Sequence, residues 1–223
     1  DATPAAFLAH VPHRRDYPEI LRQMLASGAE VLIGGDWTSY PKARRNAPYI
    51  EILPRAGELA PPGLTVVRDA TALAAVAGPV AALLPPRPGS TASYGPPLAQ
   101  TAGLALRRLL ADPDGFVLLV EHEGTDEAGH ANDIEAMAGF VAELDDAMRH
   151  ILERTSPRDD TLVLLTADHD TGGPGVVSGP LARGTARVRW ASHRHTAQWV
   201  PLFAWGPGAE GFDGGLHGTE IAR

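Results

Sequence analysis

Residues 115–130 read GFVLLVEHEGTDEAGH, an apolar run followed at once by a group of acidic residues and histidines. The apolar part, Gly115 to Val120, is short and uninterrupted, which predicts a β-strand buried on both faces. Glu121, Asp126 and His130 would then leave the carboxyl end of a central strand together. Open α/β sheets bind their ligands at this edge. The stretch therefore predicts an α/β fold with a ligand-binding site at the carboxyl edge of its sheet.

A second apolar run, residues 161–167, ends in the same way with Asp168 and His169. Two strands that deliver Asp and His to one sheet edge indicate a metal centre. The chain has no cysteine, so any metal would be bound by imidazole and carboxylate groups. Such ligands suit zinc in a catalytic site, and oxygen ligands alone suit magnesium.

Helical patterns alternate with short apolar runs along the chain, which predicts an α/β fold with a mostly parallel sheet. The expected helices cover residues 4–10, 18–27, 70–77, 98–110 and 134–156, and the expected strands cover 31–33, 64–67, 80–84 and 199–205. Thr3 should cap the first helix, and Asn132 with Glu135 should form a capping box before the longest one. Proline-rich stretches predict irregular chain over 36–62 and 85–90.

Composition limits the classes of partner. A hydrophobic content of 44% and a charged content of 21% are ordinary for a globular protein, and we expect one domain, residues 1–223. The net charge of −8 argues against nucleic acid as a specific partner, because binding a phosphate backbone needs a basic face. A small phosphate substrate is still allowed, since bound metal ions reverse the local charge.

Several short motifs resemble the alkaline phosphatases, and they occur in the family's order. They are DATPAA at residues 1–6, HVPHR at 10–14, the stretch 120–130, TADH at 166–169, His195-Thr196, and GPGA at 206–209. This resemblance covers essentially the whole chain. It implies an α/β, alkaline-phosphatase-like three-layer sandwich that hydrolyses phosphate monoesters with two zinc ions and one magnesium ion.

The resemblance also implies a role for each matching residue. The ligands of one zinc ion would be Asp126, His130 and His195. The ligands of the other would be Asp168 and His169. Glu121 and Thr3 would bind magnesium, and Arg14 would bind two oxygens of the phosphate.

The chemistry of these residue types agrees with those roles. Two metal ions roughly 3.5–4 Å apart can bind the entering and leaving oxygens of an in-line displacement. A guanidinium matches two phosphate oxygens in a bidentate fork, which an ammonium group cannot do. Magnesium on oxygen ligands keeps several waters, one of which could act as a base.

Each residue also has a purely structural explanation. The acidic groups after the central run could be solvated loop carboxylates, and Asp168 could cap the turn at residues 171–173. A lone histidine is more often a hydrogen-bonded structural residue than a ligand, and His193 competes with His195 for the ligand role. A lone arginine is most often on the surface. The joint spacing of the whole set favours the metal site.

The chain departs from the family at its start. The family's nucleophilic serine and a bridging aspartate lie upstream of the segment that matches Asp1, and no serine of this chain lies in a matching context. The family's N-terminal strand would also be missing. We therefore expect the N-terminally incomplete part of a longer enzyme, cut short at Arg223 as well.

The expected partners are a small phosphate monoester, inorganic phosphate, the protein's own N-terminal fragment and a second copy in a homodimer. The resemblance further implies a periplasmic or secreted enzyme. Two alternatives stay open at this stage. One is a phosphodiesterase or sulfatase on the same scaffold, and the other is a catalytically incomplete metal- or phosphate-binding fragment.

Overall fold

A computed structural model describes residues 2–36, 55–85, 97–156, 159–179 and 185–221. Most of the irregular stretches expected at 36–62 and 85–90 lies outside these residues, but the first prediction is wrong at Ala56–Leu59, which forms a short helix. The chain divides into two compact units, Asp1–Glu121 and His122–Arg223, and each is described by itself. The single domain expected from the sequence stays a prediction.

The first unit is built around a parallel sheet. Its helices are α1 (Ala2–Leu8), α2 (Tyr17–Ala26), α3 (Ala56–Leu59), α4 (Ala70–Ala75) and α5 (Leu98–Leu109), and its strands are β1 (Val31–Gly35), β2 (Thr65–Val67) and β3 (Val80–Leu84). The strand order is β1-β3-β2, and Val31 and Thr65 each pair with Val80. The prediction of an α/β fold with a parallel sheet is confirmed.

Strand β3 lies in the middle of this sheet and is buried on both faces. Because successive side chains of a strand point to opposite faces, β3 contributes to two separate apolar clusters. One cluster contains Val80, Ala82 and Leu84 of β3 with Leu73 of α4 and Leu104 of α5. The other contains Ala81 of β3 with Leu25 of α2 and Ala56 of α3. Helices therefore cover both faces, which is the three-layer arrangement expected from the sequence.

The apolar run at residues 115–120 is not a strand, so the prediction of a central strand buried on both faces is wrong for this structure. Val117 is 92% exposed and Leu119 is 42% exposed, whereas the residues between and beside them are partly buried. Among the described residues this segment pairs with no other strand. Exposed and partly buried residues alternate with a period of two, so only one side of this segment packs against the protein.

Among its described residues the second unit contains two α-helices, short antiparallel strand pairs, and two 3-10 helices at Ala209–Phe212 and Gly218–Glu220. The α-helices are α6 (Gly124–Ala131) and α7 (Ile134–Thr155), and the strands are β4 (Val163–Thr166), β5 (Asp170–Thr171), β6 (Gly175–Ser178), β7 (Arg187–Arg189), β8 (His195–Thr196) and β9 (Leu202–Trp205). The pairs are β4–β9, β5–β8 and β6–β7. No helix in the described ranges combines the length and apolar character needed to cross a bilayer.

Two predicted helix caps are wrong. Helix α1 begins at Ala2, so Thr3 lies inside it rather than before it. Asn132 ends α6 in the left-handed conformation with φ 56°, and Asp133 caps α7 by accepting the N–H of Ala136 at 3.0 Å. Asparagine tolerates the left-handed conformation that ends a helix, whereas the extended backbone of Asp133 suits an N-cap.

Candidate metal centre

Helix α6 carries two potential metal ligands on one face. Asp126 and His130 are four residues apart, which places their side chains side by side on a helix. Nε2 of His130 lies 3.4 Å from Oδ2 of Asp126, and the two side chains are 40% and 29% exposed. One turn of helix therefore provides an oxygen donor and a nitrogen donor close together.

Strand β8 brings a third potential ligand to the same place. It pairs with β5 so that His195 lies opposite Thr171. Nε2 of His195 lies 3.4 Å from Oδ1 of Asp126, so each carboxylate oxygen faces a different imidazole. The donor atoms of Asp126, His130 and His195 all lie within 4.8 Å of one another.

Glycine at position 129 allows α6 to lie against β5. A Cβ on Gly129 would lie 2.7 Å from the carbonyl oxygen of Thr171 and 2.9 Å from its Cβ, closer than real side chains approach. The loop before β8 is bonded to β5 as well. Gly172, at φ +83°, donates its N–H to the carbonyl of Arg194 and accepts the N–H of Ala191. Backbone packing thus brings the two ligand-bearing elements together.

Thr171 is a site residue that the sequence did not single out. Its side chain is buried, and its hydroxyl donates a hydrogen bond to Oδ1 of Asp126. The hydroxyl oxygen of Thr171 also lies 3.3 Å from Nδ1 of His169. Such a donor holds the carboxylate in one orientation. The sequence does contain one indication of this role, because residues two apart in an extended chain share a face, and Thr171 lies two residues after His169.

The loop before β8 also orients His130. Its Nδ1 lies 2.8 Å from the carbonyl oxygen of His193. Because a carbonyl oxygen only accepts, Nδ1 carries the hydrogen, and in the neutral ring Nε2 then keeps its lone pair on the side of Asp126. This is the tautomer that can bind a cation through Nε2. One carboxylate and two imidazoles form a donor set that fits Zn²⁺.

The second predicted pair, Asp168 and His169, lies beside this group. The ring of His169 stacks on that of His195, with centroids 3.6 Å apart and planes at 21°. Asp168 is 73% exposed, with Oδ2 3.2 Å from Nε2 of His169. On the purely structural explanation, Asp168 would cap the turn at residues 171–173. The carboxylate that bonds this turn is instead that of Asp170, which accepts the N–H of Gly173 at 3.0 Å.

Thr3, Glu121 and Arg14 belong to the first unit. The backbone N–H of Thr3 donates to Oε1 of Glu121 at 3.4 Å, so the two expected magnesium ligands are close together. Arg14 lies between α1 and α2 with its side chain exposed. The roles expected for these three residues stay predictions.

His122 uses both of its nitrogens for contacts within the protein. Nδ1 accepts the N–H of Gly124 at 3.1 Å, and Nε2 lies 3.7 Å from the carboxylate of Glu143. The ring packs edge-on against Phe140, with centroids 5.3 Å apart. Burial lowers the pKa of His122, and the carboxylate of Glu143 opposes this shift. His122 therefore supports the start of α6 as a neutral histidine.

Comparisons with known proteins show what this chain is similar to. A family model described as alkaline phosphatase matches residues 84–180. Alkaline phosphatase H of Pseudomonas aeruginosa is 27% identical over 99% of this chain and 60% of its own length. Streptomycin-6-phosphate phosphatase of Streptomyces griseus is 27% identical over 99% of this chain and 64% of its own length.

A solved structure is also similar to this chain. A mutant of TAB5 alkaline phosphatase, with Mg bound in its M3 site, matches with a TM-score of 0.72 and 26% identity. The match covers 95% of this chain and 64% of that one. This chain spans about three fifths of the length of the first curated relatives that it matches, 60% and 61%.

Proposed function

This chain belongs to the alkaline phosphatase family, and we propose on that premise that the protein hydrolyses phosphate monoesters at a site with bound divalent cations. The observation that carries the proposal is the convergence of Asp126, His130 and His195, whose donor atoms lie within 4.8 Å of one another. Their residue types and the tautomer of His130 suit a cation whether or not any relative is considered. The names of the relatives, each a phosphatase, support the reaction class.

We assign one zinc ion to Asp126, His130 and His195, and a second zinc ion to Asp168 and His169. We assign a magnesium ion to Glu121 and Thr3, and the magnesium bound in the TAB5 mutant supports metal dependence in the family. When bound, such ions supply positive charge to the entering and leaving oxygens of the phosphoryl group.

The chain's own residues have separate tasks in this proposal. His130 and His195 present Nε2 beside the two oxygens of Asp126, and Thr171 holds that carboxylate in place. The exposed guanidinium of Arg14 binds two phosphate oxygens as a bidentate fork. We place the serine nucleophile outside these 223 residues, because no serine here lies in the family's nucleophile context.

Metal content and hydrolysis rate together test the proposal. His130→Ala should lose one zinc ion and Asp168→Ala the other, and both should lose hydrolysis of an aryl phosphate monoester. His150→Ala is the matched control, because His150 is a partly exposed histidine of α7 beside Glu153. Unchanged zinc content in both site variants would contradict the assignment.

The choice of ester tests the reaction class. We expect a phosphate monoester to be hydrolysed much faster than the corresponding diester or sulfate ester. A preference for either of the latter would instead indicate a phosphodiesterase or a sulfatase. Zinc binding without turnover of any ester, in protein that includes its N-terminal part, would indicate a non-catalytic metal-binding module.

We also propose a periplasmic or secreted location and a homodimer, both supported by the family resemblance. Cell fractionation and sedimentation of the complete protein test these two proposals. A cytoplasmic location or a monomer at all concentrations would contradict them.

A further inference from the structure

Residues 130 and 193 bind each other's backbone through their imidazole rings. Nδ1 of His130 lies 2.8 Å from the carbonyl oxygen of His193, and Nδ1 of His193 lies 3.0 Å from the carbonyl oxygen of His130. Because carbonyl oxygens only accept, each ring donates from Nδ1. Two segments 63 residues apart are thus joined by a reciprocal pair of hydrogen bonds. The metal assignment makes no use of the His193 side chain.

We propose that the side chain of His193 is a positioning residue for the metal ligand His130. This inference rests on the proposed metal site. The last four carbonyls of a helix have no partner within the helix. At the end of α6, the carbonyls of Ala128 and Gly129 receive backbone N–H groups of the residues that follow the helix. The carbonyl of His130 receives the ring of His193 instead.

The loop that leads into β8 is joined to the end of α6 by a second side chain as well. The side-chain amide of Asn132, oriented with its nitrogen toward two carbonyls, donates to Ser192 at 2.8 Å and to Gly129 at 2.9 Å. His195 follows two residues after His193, and its ring centroid lies 5.1 Å from that of His130. The His193 side chain therefore helps to hold the loop whose backbone carbonyl orients His130 and which leads to His195.

Loss of the His193 side chain has a specific chemical consequence. The carbonyl of His193 is then no longer held against Nδ1 of His130, and the His130 ring can carry its hydrogen on either nitrogen. The tautomer with hydrogen on Nε2 cannot bind a cation at that atom. Changes to groups that orient a metal-bound histidine typically weaken metal affinity about 10- to 100-fold.

The geometry also predicts which substitution restores the contact. The donating atom is Nδ1, and the side-chain nitrogen of asparagine lies at a similar distance along the side chain. Glutamine places its nitrogen one bond further out. His193→Asn should therefore keep the bond to the His130 carbonyl, whereas His193→Ala and His193→Gln should not.

Zinc affinity tests the proposal without using enzyme activity. The affinities of the full chain and its variants are measured by competition with a chromogenic chelator. His193→Ala should bind zinc about 10- to 100-fold more weakly, while His193→Asn and the control His150→Ala should stay close to the unsubstituted chain. Equal affinity for His193→Ala and the unsubstituted chain would overturn the proposal.

A second measurement determines which ring nitrogen of His130 carries the hydrogen. Long-range ¹H–¹⁵N spectra of the metal-free chain, recorded at about pH 8, well above the ordinary imidazole pKa of about 6.5, should show His130 with hydrogen on Nδ1. In His193→Ala the spectra should show a mixture of tautomers. Hydrogen on Nε2 of His130 in the unsubstituted chain would overturn the inference.

Two further outcomes are decisive. If His193→Ala does not fold, the comparison of His193→Asn with His193→Gln takes its place, and equal zinc affinity of these two variants counts against the proposal. If His130→Ala binds zinc as well as the unsubstituted chain, the proposed metal site fails together with this inference. A failure confined to the His193 variants leaves the metal site standing.

Discussion

Alanine at position 129 should push α6 away from β5 and weaken the proposed zinc site. The new Cβ would meet the carbonyl oxygen of Thr171 at 2.7 Å and the Thr171 Cβ at 2.9 Å. The first of these neighbours is backbone and the second is attached directly to it, so neither can rotate away. The helix must therefore move, and it carries Asp126 and His130 with it.

A matched glycine in the same unit allows the packing cost to be isolated. Gly139 lies inside α7, and a Cβ there would meet nothing within 4 Å. Gly139→Ala should raise the free energy of unfolding by about 0.8–1 kcal/mol, the usual helix-propensity gain. Gly129→Ala has the same gain but an overpacking cost of about 1–3 kcal/mol. The propensity gain cancels in the comparison, so the two variants should differ by that overpacking cost.

Urea denaturation of both variants in the metal-free form gives this difference. Chelator competition then gives zinc affinity, which should fall for Gly129→Ala and stay unchanged for Gly139→Ala. The reasoning would be refuted if Gly129→Ala were stabilised as much as Gly139→Ala and bound zinc normally.

Three other predictions follow from single contacts. Thr171→Val removes the donor to the Asp126 carboxylate at nearly constant volume, so the free energy of unfolding should fall by about 1.5–3 kcal/mol, and unchanged stability in urea denaturation would speak against this bond. Because burial lowers the pKa of His122, the unfolded chain, with an ordinary imidazole pKa of about 6.5, binds more protons below that pH. The contribution of this pKa shift to the free energy of unfolding should therefore be fully present above about pH 6.5 and decline as the pH falls below it. Denaturation of His122→Gln across this pH range should show a smaller decline in the free energy of unfolding. A decline equal to that of the unsubstituted chain would exclude His122 as the cause. Asp133→Ala removes the cap of α7 and should cost about 1 kcal/mol, while Asp133→Asn should cost less; equal thermal midpoints of all three proteins would contradict the capping role.

The sequence predicted helices better than it predicted strand pairing. The apolar spacing of α2, α5 and α7 is local information, and these helices begin and end within about two residues of the predicted bounds. The run at 115–120 has the composition of a buried strand, but burial of a strand depends on a neighbour elsewhere in the chain. No strand among the described residues pairs with that run, and Val117 within it is 92% exposed.

The same distinction applies to the candidate metal centre. Asp126, His130 and His195 could be selected from the sequence because they match motifs of the family that the chain resembles, and the structure brings all three together. The roles of Thr171 and His193 could not be predicted, since each acts through a hydrogen bond to a residue far away in the sequence. Gly129 was not recognised either, because its importance lies in the atoms that a side chain would meet.

The elements that carry the proposed ligands are unusually short, and this has an energetic consequence. Strands β5 and β8 have two residues each, too few for a stable pair without other contacts. Their positions depend on Gly129, on Thr171 and on the reciprocal bonds between His130 and His193. A cation bound by α6 and β8 together stabilises the folded state in proportion to the logarithm of its concentration over its dissociation constant. Metal binding at the proposed site and local folding of this part of the chain should therefore be coupled, with the hydrogen bonds around His193 holding the proposed ligands near one another in the metal-free chain.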